Sequence, residues 1–591
     1  MKSENIIIKY AIHPFDLCEK NINLWNNIKL LFCIFYLISS LIISNFIYNF
    51  LFKNNIFLNK NIQKNSRKNF QNNIKNSQKY FKKFRKNNEN NLKINHKKTN
   101  KNNEKNKKNK YNEDINQLSI FIGFNDEKQK ISISESGLYQ NILVTGTIGS
   151  GKTSSALYPI TKQLLSYQHN NYNKKIGMLV LDVKGNYYKK IKEFAYEYDR
   201  MEDIAVLEIN GAFTYNPLDK PELKASVLAN RLRIILDLFS GKSSEPYWTD
   251  KAEQILTECI KFCRLYNNGY VNFEEIHKLV TSKQYYENRL NLVRELYVKN
   301  KLSNEECYNL STAINFFEKE YFKLDDRTMS ILKSQITRIT GCFMSDYNVS
   351  KTFNSRKNNN NSINLNEVVE DGKIIILNMN IAQYKNLSKI IAAYLKLDFQ
   401  SEVLSRLSNE EKNRERAVAF ISDEYQEYIT ESDADFYAQS REAKCINVVA
   451  TQSYTSLLKT LGNESVLKVV IQNLINKIWF RTDDLYTIEE AQKQIGKIEN
   501  EKITTNISES AKETKYSYIN NNFRSKDSNI SESISSSYEK DFVFDVKFFT
   551  QELHTFQAIA FLSDGSKITE PQKIELIPYF KMKKMKGCDL N

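Results

Sequence analysis

The sequence predicts an α/β fold: a parallel sheet flanked by helices, with an all-helical insert and one transmembrane helix ahead of both. From about Gln117, short apolar runs alternate with amphipathic stretches, as expected for alternating strands and helices. Between Phe239 and Tyr347, Glu, Lys, Leu and Tyr recur at helical spacings without an alternating strand. Residues 30–52 contain no charged side chain.

These patterns divide the chain into consecutive segments. We expect an N-terminal tail (1–29), a transmembrane helix (30–52), a basic disordered linker (53–115), a first part of a nucleotide-binding domain (116–238), an all-α insert (239–347), a second part of that domain (348–580) and a basic tail (581–591). Within the second part, the polar, Ser/Asn-rich stretch 503–540 predicts a mobile loop.

The uncharged run is long enough to cross a bilayer as a helix, at about 1.5 Å per residue. It is too long for a cleavable signal peptide, and no small-residue cleavage site follows it. The Lys-rich flank after Phe52 places the following residues on the cytoplasmic side. The sequence therefore predicts a single-pass protein of the cell membrane whose C-terminal bulk is cytoplasmic.

The basic charge of the chain is concentrated in one segment. Between Lys53 and Asn112 there are nineteen Lys/Arg and two acidic residues, whereas the formal net charge of the whole chain is +16. The rest of the chain is thus close to neutral. Two interpretations stay open: a compositional bias towards Asn and Lys, or contact with membrane lipids or with nucleic acid, which such charge density attracts without reading sequence.

A complete phosphate-binding loop follows a short apolar strand at Ile142. Glycines let its backbone N–H groups surround a phosphate, and the following helix N-terminus adds positive potential. Lys152 would reach the β- and γ-phosphates of ATP, and the Thr153 hydroxyl would ligate Mg²⁺. The residues expected to hold the nucleotide are Gly146, Thr147, Gly149, Ser150, Gly151, Lys152 and Thr153.

Two carboxylates end a second apolar strand, AVAFIS. Asp423 would hold Mg²⁺, and Glu424 would orient and polarise the attacking water. Acidic residues often end strands, so the two carboxylates alone are weak evidence for a nucleotide site. The upstream phosphate loop makes that evidence strong. Together the two motifs predict ATP hydrolysis.

Two further residues are candidates for the same site. Gln452 ends the apolar run INVVATQ, where its amide would contact the γ-phosphate; the alternative is a Gln that caps a strand end. Arg441 lies between the two strands, where it would neutralise developing charge in a neighbouring subunit's site. An ordinary surface salt bridge is the alternative for Arg441.

The remaining strand candidates complete the sheet. They are GMLVLDVKGN (177–186), IAVLEI (204–209), KIIILNMN (373–380) and KIWFRT (477–482), with a hairpin in TFQAIAFLSDGSKI that turns at Asp564-Gly565. Cys259 and Cys263 have i, i+4 spacing on a predicted helix, and we interpret them as buried free thiols rather than half of a metal site.

At this point the motifs resemble a known family, the membrane-anchored TraG/TraD-like type IV coupling proteins of conjugative and type IV secretion systems. The elements occur in that family's order over roughly residues 117–580. They are GTIGSGKT, LDVKGN, YNPL (Tyr215 to Leu218), PYWTDKA (Pro246 to Ala252), FISDEYQE, SREAKCINVVATQS and LSDG…KI…PYF.

The resemblance implies a RecA-like domain that carries an all-α domain and assembles as a homo-hexameric ring. Its implied partners are DNA, relaxase or relaxosome proteins and the components of a secretion channel. Asp423 and Glu424 fall on the family's catalytic strand, Arg441 on its arginine finger and Gln452 on its γ-phosphate contact. The chain departs from the family at Val183 and Asn186, where Pro and an acidic residue are common, and in showing one N-terminal span instead of two.

Two other function classes compete with a coupling ATPase. One is another motor: an FtsK/HerA-type DNA translocase or a channel-energising secretion ATPase, which shares both nucleotide motifs. FtsK-type motors usually carry a DNA-reading winged helix after the motor, whereas residues after Thr550 predict a strand pair. The other class is a non-enzymatic, membrane-tethered receptor, against which the intact Lys152, Asp423 and Glu424 argue.

Overall fold

A mixed eleven-stranded sheet organises the described part of the chain. The computed structural model describes residues 117–182, 184–240, 246–356, 361–509, 514–517, 522–525 and 530–582. The predicted N-terminal tail, transmembrane helix and basic linker (1–29, 30–52 and 53–115) lie outside the described residues.

Fifteen strands are defined in the described ranges. They are β1 Ser119–Asn125, β2 Lys130–Ser134, β3 Ile142–Thr145, β4 Gly177–Asp182, β5 Ile204–Leu207, β6 Ile374–Asn378, β7 Val418–Ser422, β8 Cys445–Thr451, β9 Asn476–Phe480, β10 Lys497–Glu509, β11 Thr514–Ser517, β12 Asn522–Ser525, β13 Ile530–Phe542, β14 Gln557–Phe561 and β15 Gln572–Leu576.

The α-helices of the described ranges fill the connections between strands. They are α1 Glu135–Leu138, α2 Tyr158–Ser166, α3 Tyr187–Glu197, α4 Ala225–Ser240, α5 Pro246–Tyr266, α6 Phe273–Thr281, α7 Lys283–Val298, α8 Asn304–Asn315, α9 Asp326–Thr340, α10 Tyr347–Phe353, α11 Asn366–Glu370, α12 Ile381–Ser408, α13 Asp433–Gln439, α14 Tyr454–Leu461, α15 Glu464–Asn473, α16 Leu485–Ile495 and α17 Tyr579–Met582.

The sheet is parallel in its centre and antiparallel at one edge. Its strand order is β2-β1-β15-β14-β9-β3-β8-β7-β4-β6-β5. The seven strands from β9 to β5 are parallel, and the four from β2 to β14 pair antiparallel. The predicted α/β fold with a parallel sheet is therefore confirmed, and all seven strands predicted for it lie in its parallel part.

Both faces of the sheet are covered, as a parallel sheet requires. Leu143 of β3 belongs to a core shared with the helices between β5 and β6, whereas Ile142 and Val144 belong to a second core on the opposite face. Side chains on the two faces of β3 thus belong to different cores. This double burial explains why the central strands are continuous apolar runs.

The chain between β5 and β6 contains only helices among its described elements, from α4 to α11. The insert predicted at 239–347 falls within this stretch. Cys259 and Cys263 of α5 are both free and fully buried, and burial raises the pKa of each thiol. No group of three His, Cys, Asp or Glu side chains in the described part of the chain forms a metal site.

The segment expected to be a polar loop (503–540) contains paired strands. β10 pairs antiparallel with β13, from Lys497 opposite Phe542 to Glu509 opposite Ile530, and β11 pairs with β12. Ile and Thr recur along the first arm, and such β-branched residues favour extended backbone. Pairing of the two arms also satisfies backbone groups that a polar loop leaves to water.

The predicted location in the cell membrane is contradicted. No helix within the described ranges combines the length and the apolarity that a bilayer core demands. The prediction relied on residues 30–52, which lie outside those ranges.

Candidate nucleotide site

The phosphate loop connects β3 to a π-helical turn, Lys152–Leu157, that continues into α2. Gly149 and Gly151 have φ angles of 78° and 104°, a left-handed conformation that costs glycine little. No atom lies within 4 Å of where a Cβ of Gly149 would stand, so the loop tip is open. The backbone N–H of Thr147 donates to the carbonyl of Arg481 at 2.9 Å, which ties the loop to the end of β9.

Lys152 is folded back onto its own loop. Its Nζ donates to the carbonyl oxygens of Gly146 and Thr147, the latter at 3.0 Å. The side chain is buried; burial lowers the pKa of the ammonium, and the charges of Asp423 and Glu424 oppose that shift. An ammonium held only by neutral carbonyls is well suited to exchange them for phosphate oxygens.

Thr153 and Asp423 lie side by side at the predicted Mg²⁺ position. The Thr153 hydroxyl donates to Oδ2 of Asp423 at 3.1 Å. The contact arises from the strand order. β8 lies between β3 and β7, and all three strands are parallel, so their carboxyl ends lie together at one end of the sheet. A hydroxyl and one carboxylate are typical Mg²⁺ ligands, since Mg²⁺ keeps several waters and takes further oxygens from phosphates. These two residues therefore fit the ion.

Glu424 stands beside this pair with its carboxylate fully engaged. Gln452 Nε2 donates to its Oε2 at 3.0 Å, Gln426 donates to the same oxygen, and Lys184 pairs with Oε1. Burial alone would raise the pKa of Glu424, but the hydrogen bonds from Lys184 and Gln426 outweigh it and lower the pKa. The backbone of Glu424 is left-handed, with φ 51°. Such strain in a non-glycine residue is common at functional sites.

Lys184, like Gln426, is a site residue that the sequence motifs did not predict. It follows β4, and its half-exposed ammonium pairs with Glu424 and lies 3.6 Å from Oδ2 of Asp423. Burial lowers the pKa of Lys184, and the two carboxylates more than compensate and raise it. Its one available signal was its position directly after an apolar strand of a predicted parallel sheet, as for Asp423.

Arg441 is not brought to the other site residues within one chain. It is exposed in the turn between α13 and β8, and its side chain makes no hydrogen bond or ion pair to the described residues. The site is at the carboxyl end of β8, next to Gln452, whereas Arg441 precedes the amino end. Seven strand residues span roughly 23 Å at about 3.3 Å each. Arg441 therefore lies at the amino ends of the parallel strands, opposite the carboxyl ends where the site lies.

Comparisons with known proteins agree with this geometry. Residues 343–534 match the family model described as the type IV secretion-system coupling protein DNA-binding domain. No curated protein matches the chain. The unbound monoclinic form of the bacterial conjugative coupling protein TrwBdeltaN70 is similar in structure, with 12% identity, a TM-score of 0.51, and coverage of 76% of this chain and 87% of that chain.

Two nucleotide complexes of the plasmid coupling protein TrwB are similar to the same degree. The complex with the non-hydrolysable GTP analogue GDPNP has 11% identity and a TM-score of 0.50, and covers 75% of this chain and 87% of that chain. The complex with ADP and Mg²⁺ has 12% identity and a TM-score of 0.50, and covers 76% and 87%. At this identity the likeness shows the fold. With the family match, it confirms the resemblance to type IV coupling proteins that the motifs predict.

Proposed function

We propose that this chain, which resembles type IV coupling proteins, is an ATPase that brings DNA or protein substrates to a type IV secretion or conjugation channel and drives their transfer. One observation carries the proposal. The phosphate loop, the Thr153–Asp423 pair and the Glu424–Gln452 pair meet at one edge of the sheet, in a chain whose residues 343–534 match a coupling-protein DNA-binding domain.

The side chains divide the work of hydrolysis. The loop N–H groups and Lys152 would bind the phosphates, while Thr153 and Asp423 would hold Mg²⁺. Bound ATP and Mg²⁺ would supply the anhydride bond to be cleaved and the charge that offsets the phosphates. Glu424 holds and orients a water molecule and accepts its proton, and Gln452 fixes the direction of the Glu424 carboxylate.

Release of one contact would free Glu424 for this role, because Lys184, Gln426 and Gln452 engage both of its oxygens. Lys184 is the contact best placed to leave. Its ammonium is half-exposed and sits on a flexible stem, whereas Gln426 is buried and also accepts a hydrogen bond from Thr451 at 2.9 Å. A phosphate beside Lys184 would compete for its charge.

Ring assembly completes the proposal. Arg441 lies at the sheet edge away from its own site, so it can act as an arginine finger only in a neighbouring subunit. A homo-hexamer of the RecA-like type would supply such a neighbour. The segment with net basic charge before residue 113 would add DNA attraction that is independent of sequence.

The test is ATP hydrolysis by the purified full chain with and without DNA. We expect Mg²⁺-dependent phosphate release that DNA stimulates, and none from Lys152→Ala. Hydrolysis that is unaffected by either DNA or a protein substrate would contradict a coupling role. Absence of nucleotide binding in the wild-type chain would remove the proposal altogether.

A further inference from the structure

We propose that Phe556 and Phe580 form a platform on which the base of the bound nucleotide stacks. The inference deepens the proposed function and rests on it, because it assigns a second half to the same nucleotide site. Both rings belong to the chain that approaches the phosphate loop from the antiparallel side of the sheet.

The approach of Phe556 to the phosphate loop is direct. Its backbone N–H donates to the Ser150 carbonyl at 3.1 Å. A Cβ added to Gly151 would stand 2.6 Å from the Phe556 ring, so the ring lies against the residue before Lys152. A glycine at 151 is therefore required by this close contact as well as by its φ angle.

Phe556 holds this position at a conformational cost. Its φ is 70°, in the left-handed region that aromatic residues rarely occupy. Neighbouring hydrogen bonds maintain it: the Phe556 carbonyl accepts from the Leu576 N–H at 2.8 Å, while its own N–H is bound to the loop. Strain of this kind persists where the surroundings over-determine the backbone, and it clusters at ligand sites.

Phe580 supplies a second ring with an open face. It lies on α17, its ring centroid is 6.2 Å from that of Phe556, and half of its surface is exposed. Tyr579 fixes α17 in place by an edge contact of 5.1 Å with Tyr158, the first residue of α2. Contact with α2, the helix after the phosphate loop, thus holds α17 and its exposed Phe580 ring beside the loop.

The sheet topology places Phe556 and Phe580 at the carboxyl ends of the parallel strands, beside the phosphate loop. β14 runs antiparallel to β9, so its first residues, preceded by Phe556, lie at the carboxyl edge of the parallel strands. β15 runs in the opposite direction to β14, so the chain that follows it returns to the same edge with Phe580. A nucleotide held through its phosphates extends beyond the loop, and aromatic faces beside the loop are suited to its base.

The experiment distinguishes binding of the base from binding of the phosphates. Binding of ATP and of inorganic tripolyphosphate, each with Mg²⁺, is measured for the full chain and for Phe580→Ala, Phe580→Tyr and Phe556→Gly. Stacking on one aromatic ring changes Kd by about 5- to 150-fold. We expect Phe580→Ala and Phe556→Gly to weaken ATP binding within that range, with tripolyphosphate within twofold of wild type. Phe580→Tyr, which keeps the ring, should bind ATP like wild type.

Phe580→Ala and Phe556→Gly act on the backbone in different ways. Glycine at 556 relieves the left-handed strain, and Phe580 is half-exposed, so a shared defect would not come from misfolding; thermal unfolding of each variant checks this. Equal losses for ATP and tripolyphosphate would show that the rings only shape the phosphate loop. Unchanged ATP binding in both variants would place the base elsewhere and overturn the proposal. A wild-type chain that binds neither compound would instead contradict the proposed function.

Discussion

Gln452 donates a 3.0 Å hydrogen bond to the carboxylate of Glu424, although the two residues follow different strands, β8 and β7. β7 and β8 are direct neighbours and parallel, so the residues that follow them face each other at one edge. The contact favours the interpretation of Gln452 as part of the site over that of a Gln which merely caps its strand. It also makes the two residues testable as a pair.

Substitution of Glu424 should separate binding from turnover. Glu424→Gln keeps the shape and the contacts to Gln426 and Gln452 but removes the proton acceptor, so we expect ATP binding near wild type and turnover lower by about 10²–10⁴-fold. Lys152→Ala should weaken binding itself. Single-turnover hydrolysis and equilibrium binding of a non-hydrolysable ATP analogue measure the two effects. Near-normal turnover by Glu424→Gln would refute its role.

Removal of Gln452 should lower turnover more than affinity. A hydrogen bond to a charged group contributes about 1.5–3 kcal/mol, which corresponds to a loss of roughly 10- to 150-fold when the contact acts in the transition state. Steady-state kinetics of Gln452→Ala measures kcat and KM separately. Gln439→Ala, an exposed residue at the end of α13, serves as the control. An unchanged kcat would mean that Gln452 only ends its strand.

Arg441 should act across subunits. Arg441→Ala and Glu424→Gln should each be inactive alone, and mixing the two should restore part of the activity, because some interfaces then pair an intact Glu424 with an intact Arg441. Phosphate release from mixed assemblies, with mixing verified by two affinity tags, gives the result. If verified mixed assemblies stay inactive, Arg441 has a structural role within its own chain.

Asp398 should be a strong determinant of stability that has no contact with the predicted nucleotide-site residues. It is fully buried in α12, accepts from Tyr215 at 2.8 Å and pairs with Arg231 at 2.7 Å and Lys220 at 2.5 Å. Burial alone would raise its pKa, but the two cations lower it.

Asp398→Asn leaves those buried cations without their anion, and we expect a loss of about 3–5 kcal/mol in the free energy of unfolding. Denaturant unfolding measures it. Glu464→Gln, which breaks an exposed pair with Lys468, is the control and should leave the midpoint unchanged. Equal midpoints for both variants would contradict the assignment of Asp398.

The basic segment should contribute affinity for DNA but no selectivity. A variant with residues 60–110 replaced by an uncharged Gly/Ser chain of equal length should bind DNA more weakly at low salt, and the difference should shrink as salt rises, because counterion release is lost. Titration of unrelated DNA sequences at several salt concentrations measures both effects. A sequence preference that changes with the replacement would show that this segment selects substrates.

Local sequence patterns were sufficient to predict several features of this molecule. The phosphate loop and the strand that ends in Asp423 and Glu424 each need only consecutive residues, so their chemistry can be read from composition and spacing. The central strands are equally local, since a strand buried on both faces is a continuous apolar run. The helical stretch between β5 and β6 shows itself by its periodicity. The long ribbon of β10 and β13 was missed because polar strands carry no such pattern.

By itself, then, the sequence determined the type of chemistry, through the phosphate loop and the two carboxylates, and the class of fold. The tertiary structure decided which residues meet. Lys184 reaches Glu424, Arg441 is carried to the opposite edge, and Phe556 is pressed against Gly151. The physical reason is strand order: β3 lies between β8 and β9, and β14 returns antiparallel beside β9. That order is set by the packing of whole faces into the three hydrophobic cores of the described residues, which no short stretch of residues encodes.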